Sequence, residues 1–287
     1  MPGQEARIVR RPAAVLESGR ERPVRKPTNG EGAAGVSIAT RYPWAVVLAA
    51  LALGAPAARG QLTSIDQIQT YNALTGDATP IPPLGTEVTV EGTLYVVKGQ
   101  FNAGTHYIMG DDGGIQCFHS DAALGVAGDR IQVTGTISTF SGEIQLFPVS
   151  AWAYVSHPGE PAPTEYAIPA LIHRTSGYPG FTCNYEAVGR LIRVTGVVAT
   201  EPVYSSPTVG TFGLRANGDT LTVLVHTGEA VDLSAVTVGE KFQVTGACVK
   251  YNMLVEIRPR RQDDLVDLGP LAGERATWGS VKRLYGR

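Results

Sequence analysis

Val126-Ala127-Gly128-Asp129-Arg130-Ile131-Gln132-Val133-Thr134-Gly135 is echoed later in the chain by Thr237-Val238-Gly239-Glu240-Lys241-Phe242-Gln243-Val244-Thr245-Gly246. Ile131, Val133 and Ile137 alternate with polar residues, the period of a half-buried strand. A second pair of anchors lies upstream of each segment: Val88-Thr89-Val90-Glu91-Gly92-Thr93-Leu94 matches Ile192-Arg193-Val194-Thr195-Gly196-Val197-Val198. Gly196 follows Gly92 by 104 residues and Gly246 follows Gly135 by 111, so the second copy carries seven more residues between its anchors. Between them, His106–Gly114 parallels Thr211–Asp219, each a short apolar strand entering a Gly-containing turn. Two matches in the same order at nearly equal spacing define an internal repeat.

Each copy reads as five strands. The first copy has them near 87–98, 105–110, 115–119, 130–138 and 143–155, the second near 190–201, 211–216, 221–226, 241–250 and 253–265. Between strands three and four, Asp121–Leu124 and Asp232–Val236 are each expected to form one helical turn with the Asp as N-cap. Gly92, Gly135, Gly196 and Gly246 fall inside strands, where glycine marks a sharp bend. A long first strand, a hairpin, a small helical link and a final hairpin predict an all-β chain of two tandem five-stranded OB-fold (Greek-key) barrels. An immunoglobulin-like sandwich is the competitor, but it needs about seven strands. The domains then run 61–155 and 190–268, with a Pro/Gly/aromatic connector at 156–189 that packs between the barrels and a tail at 269–287. In that tail Trp278, Val281, Leu284 and Tyr285 stand at helical spacing.

Composition agrees with this architecture. Gly (34) and Pro (19) make up about 18 % of 287 residues, against about 12 % in average usage. Charged residues are only 17 %, which excludes a coiled coil, and the Val, Ile and Leu content excludes a disordered chain. The first sixty residues stand apart. Trp44–Leu53 is an unbroken apolar run of ten, preceded by Arg41 and followed by small residues up to Gly60. It is too short to span a bilayer and has the form of a secretory signal, with cleavage near Ala57 or Gly60. The expected location is therefore secreted or periplasmic, with no membrane span after processing. The formal charge is −2 for the whole chain, and residues 61–287 hold 15 basic and 22 acidic side chains, a net −7. Proteins that hold nucleic acid through phosphates alone are usually basic.

Ser64-Ile65-Asp66-Gln67-Ile68-Gln69, then Gly76-Asp77-Ala78-Thr79-Pro80, Gly85, Val88–Gly92 and Val126–Gly135 resemble the OB-fold accessory domain that precedes the endonuclease/exonuclease/phosphatase-type catalytic domain in extracellular bacterial nucleases. The resemblance covers 62–155, and 190–268 more weakly. It departs from the family at His106-Tyr107-Ile108-Met109-Gly110-Asp111, where family members often carry an aromatic pair and Gln-Asp. It implies a secreted bacterial nucleic-acid-binding module, present in two copies. Residues 269–287 are too few to supply the catalytic domain, so the expectation is an accessory part without its enzyme.

The residues offer little chemistry of their own. No His pair at metal-ligand spacing, no Cys-x-x-Cys, no nucleophile elbow and no phosphate loop is present in the sequence. We therefore expect no catalysis, no cofactor and no metal. The three cysteines admit a Cys183–Cys248 disulfide or three buried thiols. OB-folds bind through the face of strands two and three and the flanking loops. The aromatic and cationic residues expected there are Tyr95, Lys98, His106, Tyr107 and Phe118 in the first copy, with Phe212, Arg215, Lys250 and Tyr251 in the second. Arg258, Arg260 and Arg261 form the densest basic cluster. Core packing competes for each aromatic, and a solvated strand end for the arginines. Stacking on aromatic rings would suit single-stranded DNA or RNA. A protein- or glycan-binding adaptor of the envelope, or a subunit serving a nuclease partner, is the alternative.

Overall fold

The computed structural model describes residues 61–72, 75–174, 181–206, 208–226, 231–252 and 254–270, with only the backbone at 173–174 and 181–183. The expected secretory signal and the Trp278–Tyr285 segment lie outside the described residues.

The first barrel contains α1 (Ile65–Ile68), β1 (Glu87–Val96), β2 (Thr105–Met109), β3 (Gly114–Phe118), β4 (Arg130–Phe140) and β5 (Glu143–Ser156). Its strands close in the order β1-β2-β3-β5-β4. The alternation read from the sequence is the one observed: Ile131, Val133, Gly135 and Ile137 of β4 point inward while their neighbours stay half-exposed. Ile65 and Ile68 of α1 join Val90, Leu94, Ile108, Ile115 and Leu146 in one core. This short helix starts where the Ile65 N–H donates to Asp112 Oδ2 at 2.9 Å. The Asp-Asp-Gly-Gly turn between β2 and β3 therefore acts as the cap of α1.

The connector then gives β6 (Thr164–Glu165), α2 (Ile168–Leu171), β7 (Ile172–Arg174) and β8 (Phe181–Cys183). The second barrel follows with β9 (Leu191–Val198), β10 (Val203–Ser206), β11 (Val209–Ala216), β12 (Asp219–His226), β13 (Glu240–Tyr251), β14 (Leu254–Arg258) and β15 (Leu265–Pro270). The pairings β9–β11, β11–β12, β12–β14, β14–β13 and β13–β9 return to their start, so β9-β11-β12-β14-β13 repeats the path of the first barrel. Registers agree as well. Val88 faces Gly135 and Ile192 faces Gly246; Cys117 faces Leu146 in a parallel pair, and Val223 faces Ile257 in another.

The glycines inside strands stand at close approaches. A Cβ on Gly135 would lie 3.0 Å from Pro148 O, and one on Gly246 only 2.4 Å from Arg258 O. Both glycines therefore make room for the bend of the last strand. In each copy that bend falls at a proline, Pro148 or Pro259, which removes a ladder donor.

Two expectations need correction. Neither 121–124 nor 232–236 is helical. The Ala122 N–H is taken by His119 Nδ1 instead of Asp121, and the Leu124 N–H reaches His106 Nε2 at 3.4 Å. Asp232 does accept the Ser234 N–H at 2.8 Å, but only as a turn. The helical turns instead precede the first strand of each barrel, where Ile65/Ile68 and Ile168/Leu171 plug the two cores. Secondly, the fifth strand expected at 253–265 is interrupted: β14 ends at Arg258, a 3-10 turn spans Gln262–Asp264, and β15 resumes. The interruption is fixed by Arg260, whose guanidinium binds both Asp264 oxygens at 2.9 Å and whose N–H binds Asp264 Oδ2. The connector touches both barrels: β6 pairs with β9 and Glu160 binds Arg260 and Arg261 of the second, while Tyr185 stacks on Tyr71 and the Gly159 N–H donates to Gly128 O of the first.

Candidate nucleic-acid interface

The barrels share a buried seam. Tyr95, Val96, Phe101 and Tyr107 of the first barrel form one apolar cluster with Leu191, Ala247 and Val249 of the second. Polar groups tie its rim. Tyr95 O–H donates to Gly189 O, Arg260 Nη1 donates to Tyr95 O at 3.0 Å, and Lys250 Nζ donates to Gly142 O at 3.1 Å. Tyr107 O–H donates to Glu143 Oε1 at 3.0 Å. Glu143 is only 2 % exposed, and burial is the main cause that pushes its carboxyl up to about 8; nearby Arg258 opposes the shift and Glu256 adds to it. Burial likewise raises the Tyr95 and Tyr107 hydroxyls well above the usual phenol range.

This seam covers the face of the first barrel that an OB-fold usually offers to a ligand. Tyr95 and Tyr107 are shut inside it. Glu143 was not expected from the sequence; an acidic residue opening a strand carries no pattern that marks it as buried.

The other expected ligand residues scatter. His106 is fully buried, with Nδ1 against Gly104 O at 3.0 Å, and burial lowers its pKa. Phe212 belongs to the second core. Lys250 is 3 % exposed and also donates to Asn252 O. The basic cluster is neutralised. Arg258 Nε binds Glu256 at 3.0 Å, Arg260 binds Asp264 and Glu160, and Arg261 binds Glu160 at 2.8 Å. Burial would raise Glu160, yet its pKa is held down by Arg261 and Arg260. Arg260 and Arg261 anchor the connector's Glu160 to the second barrel, Arg258 is spent on Glu256, and little free charge is left. Lys98 and Phe118 remain half-exposed on the first barrel, Lys98 Nζ on Ser120 O at 2.8 Å and Phe118 edge-on to Phe147. Tyr251 is exposed at the β13–β14 turn. Cys117 is buried, and burial raises its thiol pKa. The Cys183 side chain lies outside the described residues, so the Cys183–Cys248 pair rests on the sequence alone.

Arg215 alone of the expected cations is both exposed and unengaged. It has a neighbour the sequence reading missed. Lys241 of β13 pairs with Val197 of β9, and Val197 pairs with Arg215 of β11. The two cations thus flank one central residue across three adjacent strands, about 10 Å apart at neighbouring-strand spacing. They line a shallow groove of about 450 Å³ with Thr195, Val197, Asn217 and Gly239. Among the described residues these are the two Lys/Arg side chains held by no hydrogen bond or ion pair. The sequence signal lay in the repeat itself. Arg130 and Glu91 in the first copy become Lys241 and Thr195 in the second. Arg130 Nε binds Glu91 Oε1 at 2.7 Å and Gln132 Nε2 binds Glu91 Oε2 at 2.8 Å, so Glu91 quenches in the first barrel the charge that Thr195 leaves open in the second.

No family model and no curated protein matches the chain. Solved structures do. It is similar to the Stn1–Ten1 complex of S. pombe (18 % identity, 41 % of this chain and 80 % of that one, TM-score 0.24). It is also similar to the single-stranded DNA binding protein from Thermus aquaticus (16 % identity, 69 % and 98 %, TM-score 0.26). A murine DNA binding protein bound with double-stranded DNA matches at 11 % identity, 62 % and 96 %, TM-score 0.30. Scores this low leave the site to be read from this chain's own residues.

Proposed function

We propose that the chain is a non-enzymatic binding module that holds single-stranded DNA or RNA on its second barrel. The observation that carries this reading is the Lys241–Val197–Arg215 row: two free cations in an open groove on a chain whose other described Lys and Arg side chains are engaged. The backbone of a single strand would lie across the row, with Arg215 and Lys241 each taking a phosphate. The first barrel acts as scaffold because the second seals its usual face. In this reading the two barrels arose by duplication, and the first lost its free positive charge for a ligand when Glu91 paired with Arg130. Secretion belongs to the proposal too, on the strength of the Trp44–Leu53 run, and mass spectrometry of the mature N-terminus tests it.

The test is fluorescence anisotropy with labelled single-stranded oligonucleotides at 50 and 200 mM salt. Two phosphate contacts predict an affinity loss of about sevenfold over that range, from a slope of about −0.7 per contact on single strands. Arg215→Ala/Lys241→Ala should remove both the binding and the salt dependence. No binding of the oligonucleotide even at 50 mM salt, where phosphate contacts are strongest, would overturn this reading and favour the protein- or glycan-adaptor one.

A further inference from the structure

We infer that the site on the second barrel recognises the sugar–phosphate backbone of a single strand without reading its bases. The inference rests on the proposed function and names what that same site recognises. Register places the residues. Lys241 pairs with Val197, Val197 with Arg215 and Arg215 with Thr220, so one row crosses β13, β9, β11 and β12. Alternate residues of a strand share a face. Thr195 therefore stands beside Val197 on this surface, one pleat further along β9, and lines the groove with it. The Thr195 and Thr220 hydroxyls flank Arg215, one half-exposed and the other exposed, and neither makes a hydrogen bond among the described residues. Arg, Lys and Thr are the side chains that hold phosphate and sugar, contacts that position a strand but carry no sequence information.

The first barrel shows what a base-reading face would look like. Its hairpin pairs Met109 with Gly114, Tyr107 with Gln116 and Thr105 with Phe118. The second pairs Arg215 with Thr220, Gly213 with Thr222 and Thr211 with Leu224 in the same places. Tyr107 and Phe118 are rings on which bases can stack, and a Gln carboxamide can pair with a base edge. On the second barrel a glycine, a leucine and a threonine replace those three side chains, and Met109 gives way to the cation Arg215. Across these rows the described residues put no Phe, Tyr or Trp on the face. Tyr204 of the adjacent β10 is exposed, but it pairs with Gly210 and lies over the opposite face, where a Cβ on Gly210 would meet its ring at 3.2 Å. Tyr251 stands at the far end of β13 from Lys241. The face thus gained charge where it lost the means to grip a base.

Competition on the full-length chain tests this. A labelled oligonucleotide is displaced by unlabelled strands of thymine or cytosine, and by an abasic strand of the same length that keeps every deoxyribose and phosphate. The three should compete within about threefold of one another, because a single stacked base would separate them by about fivefold or more. Thr195→Val/Thr220→Val should weaken all three by the same factor, with an unchanged circular dichroism spectrum. An abasic strand that competes at least about tenfold more weakly than the other two would overturn the inference and leave Arg215 and Lys241 as phosphate seats. So would a threonine pair whose loss changes none of the three affinities. A chain that binds none of the strands would overturn the inference together with the reading it rests on.

Discussion

The two barrels share connectivity and register, yet they present opposite surfaces at the same place. Across β4, β1 and β2 the row reads Arg130, Thr93, Met109; across β13, β9 and β11 it reads Lys241, Val197, Arg215. In the first row one cation is held by Glu91, and in the second both stand free. On the neighbouring strands, Tyr107 and Glu143 of the first barrel are buried in the seam, while their counterparts Gly213 and Leu254 leave that region of the second barrel without a comparable lock. A duplicated fold can thus divide its labour through few exchanges. On the proposed function, one copy supplies the surface that holds the pair together, and the other keeps a surface for a ligand.

The largest effect should come from breaking the seam. Tyr107→Ala removes a fully buried ring and a hydrogen bond to Glu143, and should cost about 3–5 kcal/mol in urea unfolding. If the seam couples the barrels, the variant should also unfold in two separable steps. Glu143 gives a pH signature next. Its folded pKa of about 8 lies above its ordinary value, so the folded state keeps a proton that the unfolded chain releases. Its contribution is fully present below about pH 4.5 and is lost as pH rises toward 8, on the order of a few kcal/mol. Glu143→Gln should flatten the stability profile over that window, measured by thermal melts at stepped pH.

Exchange between the barrels sharpens the comparison. Thr195→Glu should recreate in the second barrel the carboxylate that quenches the first, weakening oligonucleotide binding about tenfold, comparable to one partly exposed charge pair and one lost contact. Arg258→Ala, by contrast, should change the salt slope of binding little, because its charge already faces Glu256. The smallest difference concerns the glycines of the bend. Gly246→Ala meets Arg258 O at 2.4 Å, whereas Gly135→Ala meets Pro148 O at 3.0 Å, so the former should destabilise by about 1–3 kcal/mol and the latter by less.

The strands were legible because alternation and the two anchor pairs fixed them. The slip in aligning the two hairpins is physical. Reading His106 against Thr211 places the hairpins one residue out of register; the pairing sets Thr105 and Thr211 in equivalent places, opposite Phe118 and Leu224. The two hairpins turn differently. Asn217 and Gly218 both take positive φ in a two-residue turn, and the first barrel uses Gly110–Gly113. A one-residue slip changes which side chains face out, and it hid that Arg215 stands in the second barrel where the first has Met109. The plugging helices were missed because four residues are too few to display a period. The ligand residues were harder to read. Tyr95, Tyr107 and the Arg258–Arg261 cluster have the composition of a binding face. Only the contact between barrels, and the carboxylates Glu160, Glu256 and Asp264 that reach them, show that these groups are already used.

Hydrogen–deuterium exchange of the chain with and without a single-stranded oligonucleotide tests the division of labour most directly. The account predicts new protection at Val197, Arg215–Thr220 and Lys241, with the Thr105–Phe118 hairpin unchanged. Protection confined to the first barrel, around Lys98 and Phe118, would contradict it.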